Sequence, residues 1–540
     1  MTSLHDDTAV NAPLITADHG EGQGDNRRVS TSILQSSGNA FVWALTLSAC
    51  VSGLLFGFDT GVISGTLVSI GTDLSSRELT NLDKGLITSC TSLFALIASP
   101  GAGVLADKWG RKNIILCADA LFTLGALWQA FTTSVWGMIF GRSIVGLAIG
   151  GASLIVPLYI SELAPGHLRG RLVTVSLLFI TGGQVIAYVI GWLFSARVSG
   201  WRWMVGLGAV PALAQLIMLM FMPETPRYLA KAQREMEAKA VLGKVYRGMV
   251  PDTTILVNEV MLAIKKEILE EEEAHVNIKS TSSSRFFPPT LQSLLLHPPH
   301  ARALTIACSL QALQQACGFN VLMYFSATIF QMLRFDSPTL TSLSVAGTNF
   351  IFTIAAFHLI DRIGRRKILL ITIPLMVVAL LACAASFVFV RLPNSHHSRD
   401  EPPNDGAAGN ASRLPAICIL LSILLYVSTY ATGLGVVPWQ QSELFPLSVR
   451  SVGSSLATAT NWGCNTIVGL TFLPMMDLLT PQWTFVCYAA ICAVGWCVIW
   501  RIYPETMGLA LEEVGDLLRH GWGIKESTDR LKRRTMGGGS

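Results

Sequence analysis

The chain has 540 residues, of which 51% are hydrophobic and 14% charged, with a mean hydropathy of +0.50. Soluble chains carry roughly a quarter charged residues, so a string of water-soluble domains is excluded. The net charge is +4, from 39 basic and 35 acidic residues, and there is no concentrated basic face of the kind that reads nucleic acid.

Apolar runs long enough to cross a hydrocarbon core of ~30 Å recur along most of the chain. Six lie at 41–70, 85–106, 113–133, 135–160, 172–194 and 201–222. Six more lie at 301–330, 341–360, 368–390, 414–438, 450–476 and 482–503. Lipid cannot satisfy an open backbone, so all twelve are expected to be helices. The expected fold is an all-α membrane protein of two six-helix halves, 41–222 and 301–503.

The remaining segments are polar. Residues 1–40 lack an apolar signal-peptide core and are expected to form a disordered tail. Residues 223–300 are expected to be a helical linker, and its run Glu270–Glu273 a solvated helix face. Residues 504–540 form a second tail.

Orientation follows from the short loops. Lys108, Arg111 and Lys112 share one loop, Arg169 and Arg171 another, and Arg362, Arg365, Arg366 and Lys367 a third. All fall on one side with the linker and both termini, which makes that side cytoplasmic and the protein a multi-pass plasma-membrane protein. The opposite loop 391–413 carries Arg391, Arg399 and Arg413, an imperfect fit, and holds the sequon Asn410-Ala411-Ser412, so Asn410 is a candidate glycosylation site. The eleven cysteines sit singly in spans, without metal-ligand spacing. They read as small packing residues, and neither metal nor cofactor is expected.

The chain repeats internally. Ser161-Glu162-Leu163-Ala164-Pro165 with Arg169 recurs as Ser442-Glu443-Leu444-Phe445-Pro446 with Arg450, and Pro223-Glu224-Thr225 as Pro504-Glu505-Thr506. Asp107-Lys108-Trp109-Gly110-Arg111-Lys112 recurs as Asp361-Arg362-Ile363-Gly364-Arg365-Arg366. A duplicated six-span unit suggests a transporter whose halves rock around a midplane site. The loop charges then read as cytoplasmic latches, Arg111 and Lys112 pairing with Glu162 or Glu224, and Arg365 and Arg366 with Glu443 or Glu505. Enforcement of topology by the basic residues is the alternative, and the two are compatible.

Membrane-buried polar residues mark the substrate. Gln184 falls in span five; Gln314, Gln315, Asn320 and Tyr324 in span seven; Asn349 in span eight; Trp439 closes span ten. Thr458, Asn461, Trp462 and Asn465 form one stripe of span eleven. Neutral amides with aromatic rings suit a hydroxyl-studded ring, in which each hydroxyl both donates and accepts. Interhelical glue is the plain alternative for any single amide.

Asp59 lies mid-span, where an ionisable group is costly and functional by default. Gly53, Gly57, Gly61 and Gly65 form a close-packing ladder, and Asp59 lies roughly 200° around the helix from it. Its expected partner is Arg142 in span four, and separating the two is expected to couple proton binding to conformation. A static ion pair is the alternative. Asp119 in span three is a further buried acid, expected to face a neighbouring helix or the cytoplasmic mouth.

Jointly, Asp107–Lys112, Pro157-Leu158-Tyr159-Ile160-Ser161-Glu162, Pro223-Glu224-Thr225-Pro226-Arg227, Gln314-Gln315 with Asn320, Pro438-Trp439 and Pro504-Glu505-Thr506 resemble the sugar porter family of the major facilitator superfamily. Residues 438–446 and 457–462 are most similar to fungal myo-inositol/proton symporters. The resemblance implies that Gln184, Gln314, Gln315, Asn320, Asn349, Trp439 and Asn465 match sugar-contacting positions, with Gly435 beside the ring. It also implies proton coupling through Asp59 and Arg142. At the position where some bacterial relatives carry a Glu in span six, this chain has Gly208. The expected function is import of myo-inositol, or a related polyol or hexose, with protons, by a chain working as a monomer in a lipid bilayer. A facilitative hexose uniporter and a nutrient sensor are the alternatives; an enzyme is not expected, because no nucleophile–base grouping is present.

Overall fold

The computed structural model describes residues 39–537, apart from 166–167, 249–252, 282–288, 391–412, 447–448, 508, 510 and 520. Asn410 and almost all of the first tail lie outside the described residues.

The first half runs through α1 (Ala40–Ser69), α2 (Asn81–Trp109), α3 (Arg111–Phe131), α4 (Val135–Leu163), α5 (Arg169–Ser195), α6 (Gly200–Gly206) and α7 (Ala209–Met220). Local chemistry sets the helix starts. Asn39 caps α1, Ser134 caps α4, and Thr80 with Asp83 forms a reciprocal capping box on α2. The α6–α7 break comes where Pro211 has no N–H to give the carbonyl of Leu207, so the chain tightens locally and Val210 bonds that carbonyl instead at 3.1 Å.

Four helices make the linker: α8 (Pro226–Lys231), α9 (Glu235–Val245), α10 (Thr253–Thr281) and α11 (Pro289–Leu296). The second half then runs through α12 (Pro298–Ala316), α13 (Phe319–Met332), α14 (Pro338–Ile363), α15 (Arg365–Val388), α16 (Arg413–Thr432), a 3-10 segment (Val437–Leu444), α17 (Arg450–Leu478) and α18 (Thr480–Ile502). Two short helices, α19 (Leu511–Leu517) and α20 (Ile524–Gly537), follow.

Among the described residues, ten helical stretches are long and apolar enough to cross a membrane. The broken α12–α13 and the polar α17 complete twelve, and these two carry most of the amides singled out above. Large apolar side chains such as Phe131, Trp136 and Phe221 remain exposed on the outward faces, as a hydrocarbon solvent permits.

Two further expected spans are not continuous. Span seven breaks at Cys317-Gly318, where Gly318 takes φ +88° and an added Cβ would lie 2.9 Å from the Tyr488 ring. Span ten stops at Thr432 instead of reaching residue 438: Gly433 fits against Thr372, whose Oγ1 leaves no room for a Cβ, and Gly435 N–H returns to the Tyr430 carbonyl at 2.8 Å. Trp439 therefore sits on the 3-10 segment, past the span.

The glycine ladder of α1 packs on α5. A Cβ at Gly57 would stand 1.8 Å from the carbonyl oxygen of Ile180, and one at Gly53 would stand 2.9 Å from that of Ser176. Across the halves, α2 packs on α17, α5 on α14 and α1 on α13. Gly57→Ala is expected to lower the thermal unfolding temperature of detergent-purified protein, because the backbones must part at a cost of about 1–3 kcal/mol. Gly151→Ala, with nothing within 4 Å of the added carbon, is expected to leave it unchanged.

Candidate functional site

Asp59 projects from the face of α1 opposite the glycine ladder, and Arg142 Nη1 donates to its Oδ1. Both are buried, at 6% and 1% exposure. The guanidinium is also held by α2, Arg142 Nε donating to the Ile87 carbonyl at 3.2 Å. A charge pair without water needs each remaining proton and lone pair answered, and α2 supplies one of those answers.

In the second half the amides join directly. Asn461 Nδ2 donates to Gln311 Oε1 at 2.6 Å and to Gln314 Oε1 at 2.9 Å, and Gln315 Nε2 donates to Asn461 Oδ1 at 3.0 Å. Asn320 Nδ2 reaches Gln315 Oε1 at 2.7 Å, and Gln314 Nε2 reaches the carbonyls of Leu434 and Gly435 at 3.1 and 3.3 Å. Those carbonyls are available because the backbone has left the helix there.

Gln311 was missed from sequence, although it stands three and four residues before Gln314 and Gln315, on the same helix face. Its Nε2 donates to the Pro438 carbonyl at 3.0 Å and to Gln441 Oε1 at 2.8 Å, and Gln441 in turn donates to Thr458 Oγ1 at 3.1 Å.

The other expected residues bridge the halves. Asn349 Nδ2 donates to Gln184 Oε1 at 2.8 Å, and Asn465 Nδ2 donates to Ser92 Oγ at 2.9 Å and Tyr324 Oη at 3.1 Å. Trp462 meets Phe56 edge-on with ring centres 5.5 Å apart. On the side away from the linker, Tyr188 Oη donates to the Met323 carbonyl at 2.5 Å, Ser64 and Ser326 hydroxyls lie 3.1 Å apart, and Asn81 reaches Asp477 at 2.5 Å. The described hydrogen bonds between the two six-helix halves thus fall at mid-helix or on the far side. On the linker side an open cavity is lined mainly by α1, α3, α4 and α5 of the first half, with Trp439 from the second. Trp439 is the one expected substrate residue on its wall; Asp119 is there too.

The loop motifs carry a two-fold repeated geometry that differs in part from the expected latches. Arg111 Nε lies 3.2 Å from Glu162 Oε2, a charge contact off the hydrogen-bond angle, and Arg111 Nη2 lies 2.9 Å from Asp107. Arg365 Nη1 lies 3.3 Å from Glu443 Oε2, and here Arg365 Nη2 also donates a hydrogen bond to Glu443 Oε1 at 3.4 Å. Glu224 and Glu505 do not receive the basic side chains. Each accepts backbone N–H groups at a helix start: Glu224 from Arg111, Lys112 and Thr225 at 2.9 to 3.2 Å, Glu505 from Arg365, Arg366 and Met507 at 2.9 to 3.2 Å.

The preceding glycines, Gly110 (φ +94°) and Gly364 (φ +96°), let each carboxylate approach; a Cβ at Gly110 would lie 2.2 Å from Glu224 Oε2. Burial pushes the Glu224 carboxyl above the usual range, and its three N–H donors oppose this. Lys112 and Arg366 cap helix ends instead. Lys112 Nζ donates to Met220 O at 3.0 Å, and Arg366 donates to the carbonyls of Ile499 at 3.0 Å, Trp500 at 2.8 Å and Tyr503. Arg450 Nε donates to Phe445 O at 3.3 Å. The side chains of Arg169 and Asp361 lie outside the described residues.

A family profile described as "Sugar (and other) transporter" matches residues 45–518. The chain belongs to this family. It is a transporter and not an enzyme. It is 45% identical over 499 residues to myo-inositol transporter 1 of Cryptococcus neoformans, covering 92% of this chain and 84% of that one. It is 42% identical over 497 residues to myo-inositol transporter 2 of Schizosaccharomyces pombe, covering 92% and 85%. In structure it is similar to the xylose transporter XylE of E. coli in a partially occluded inward open conformation. That similarity has a TM-score of 0.71 and 25% identity, over 87% of this chain and 100% of that one. A second similarity is to the same proton:xylose symporter with a bromodeoxyglucose bound, at a TM-score of 0.69 and 26% identity over 89% and 99%. This sugar transporter thus has the expected twelve-helix major facilitator fold.

Glu224→Ala leaves the first amides of α3 without their acceptor. Loss of such a cap costs about 1–2 kcal/mol, so a lowered unfolding temperature of the purified protein is expected. Glu505→Ala is expected to match it, because the geometry is repeated; an unchanged midpoint in both would mean other acceptors serve those amides.

Proposed function

We propose that this transporter imports myo-inositol, or a closely related polyol or hexose, with protons across the plasma membrane. One midplane site is exposed to each side in turn. The observation that carries the reading is the polar seam at mid-helix. There Gln184–Asn349 and Ser92–Asn465–Tyr324 join the halves beside the second-half network of Gln314, Gln315, Asn320 and Asn461. Each amide now bonds another amide, a hydroxyl or a carbonyl. A hydroxyl that donates and accepts can replace either partner without stranding a buried group. The myo-inositol transporters of Cryptococcus and Schizosaccharomyces, similar over most of this chain, support the substrate.

The linker side, with its Lys and Arg loops, is the cytoplasmic side in this reading, and both termini lie there. The cavity then opens inward, and the bonds at the far end close the outer path. Closing the cavity requires α4 and α5 to approach the second half. The Arg111–Glu162 contact at the end of α4 and the Arg365–Glu443 contact between α15 and the 3-10 segment are the loop contacts that bias this step. The transporter acts as a monomer, since each half supplies part of one site.

Asp59 and Arg142 supply the coupling. A proton on Asp59 dissolves the charge pair and frees Arg142 from α1, so protonation and the relation of α1 to α4 change together. This favours symport over the uniporter alternative.

In energised vesicles, Gln315→Ala or Asn320→Ala is expected to raise the apparent KM for labelled myo-inositol about tenfold at unchanged protein level. Unchanged kinetics in both would remove them from the site. Asp59→Asn is expected to abolish uptake against a gradient while counterflow exchange persists; full accumulation by that variant would refute the coupling role.

A further inference from the structure

The linker-side cavity holds a carboxyl that the midplane site does not use. Asp119 lies on α3, two turns from its start, and is 2% exposed. Its Oδ2 has no hydrogen-bond partner, and among the described residues no cation lies within ion-pair distance. An enclosed acceptor left unanswered costs free energy that an incoming donor would recover.

Other polar groups face the same space. Ser52, Ser153 and Ser176 are on the wall, together with Pro157. Pro157 has no N–H to give to the carbonyl of Ser153, so that carbonyl lacks its usual helical donor. Ser52 Oγ accepts from Gln215 Nε2 at 2.6 Å, so its own proton is free to donate. Trp439 contributes an aromatic ring from the second half, with Phe56 and Phe122 completing the apolar part.

We propose that this cavity is a second polyol subsite, on the linker side of the midplane, in which Asp119 accepts hydrogen bonds from substrate hydroxyls. The chemistry matches the ligand class: a carboxyl acceptor and hydroxyls for the ring's O–H groups, and an aromatic ring for its C–H face. None of Gln314, Gln315, Asn320 or Asn461 lies on its wall, so the two sites share only Trp439. Substrate leaving the midplane passes from the amides to Asp119 before reaching the linker-side solution. The subsite rests on the polyol-transport reading above.

The test presents labelled myo-inositol separately to the two faces of sealed right-side-out and inside-out vesicles containing the full chain, without a pH gradient. Asp119→Asn is expected to raise the apparent KM at the linker face about tenfold and to leave that at the opposite face within about twofold. Ser153→Ala, which keeps the carboxyl, is expected to raise the linker-face KM less and leave the opposite face unchanged. It decides the question if Asp119→Asn yields no folded protein. Equal KM values at both faces in these variants, or an equal rise at both, would overturn the subsite. Unchanged KM values with loss of the response to an imposed proton gradient would overturn it as well, and assign Asp119 to proton transfer. If wild type and Gln315→Ala behave as expected and Asp119→Asn changes nothing, the subsite alone fails. If wild-type vesicles take up no myo-inositol from either face, the transport reading fails and the subsite with it.

Discussion

Hydrocarbon offers no hydrogen bonds, so a polar atom inside a span must find its partner in the protein. That constraint organises this transporter more than any single contact does. Arg142 keeps one N–H on the Ile87 carbonyl while another serves Asp59. Gln215, deep in α7, donates to the carbonyl of Ser48 and the hydroxyl of Ser52. The amides of α12, α13 and α17 answer one another, Asn461 serving Gln311, Gln314 and Gln315 together. Where a helix stops mid-membrane, as at Thr432, the carbonyls it releases are taken by Gln314 and Gln311. The breaks and the amide cluster are therefore one feature: the side chains make the irregular backbone tolerable, and the irregular backbone gives the side chains somewhere to point.

The same requirement explains the duplicated loops. A helix begins with unsatisfied N–H groups and ends with unsatisfied carbonyls. At the linker side, the start of α3 lies beside the end of α7, and the start of α15 beside the end of α18. One carboxylate serves each start, Glu224 or Glu505, and one cation serves each end, Lys112 or Arg366. Only after these positions are committed does Arg111 or Arg365 remain to reach the carboxylate at the end of the neighbouring motif. The repeated sequence is thus mainly a device for closing helix ends, to which the Arg111–Glu162 and Arg365–Glu443 charge contacts are added.

Much of this was legible in the residues, and the failures share a cause. Span count, the two halves and the Asp59–Arg142 pairing followed from apolar length and from the rarity of charge inside spans. The glycine ladder's opposition to Asp59 followed from helical angle alone. Each of these depends on one helix or on composition. The capping role of Glu224 did not follow, because opposite charges in a loop motif look the same in sequence whether a carboxylate meets a side chain or a backbone N–H. The breaks at Gly318 and Gly433 depend on Tyr488 and Thr372, which are far away in sequence. Gln311 was legible from its spacing beside Gln314 and Gln315; Asp119 was legible as a buried acid, but the cavity it faces belongs to four helices at once.

A carrier must also avoid resting too firmly in one state, and the distribution of bonds bears on this. The far-side contacts between the halves are few and mostly involve neutral groups, such as Ser64 with Ser326 and Tyr188 with the Met323 carbonyl. Each such bond is worth about 1 kcal/mol net, so the set can hold the outer path shut without exceeding what the binding of a substrate can offset. The costly interaction, the buried ion pair, lies instead within one half, between α1 and α4. In the coupling proposed above, protonation of Asp59 releases this pair, and the halves respond to its release. Placing the strong charge interaction inside a half and the weak neutral ones between halves keeps the two conformations close in free energy. Under the proposed symport, a gradient of protons then has a specific pair of atoms through which to bias them.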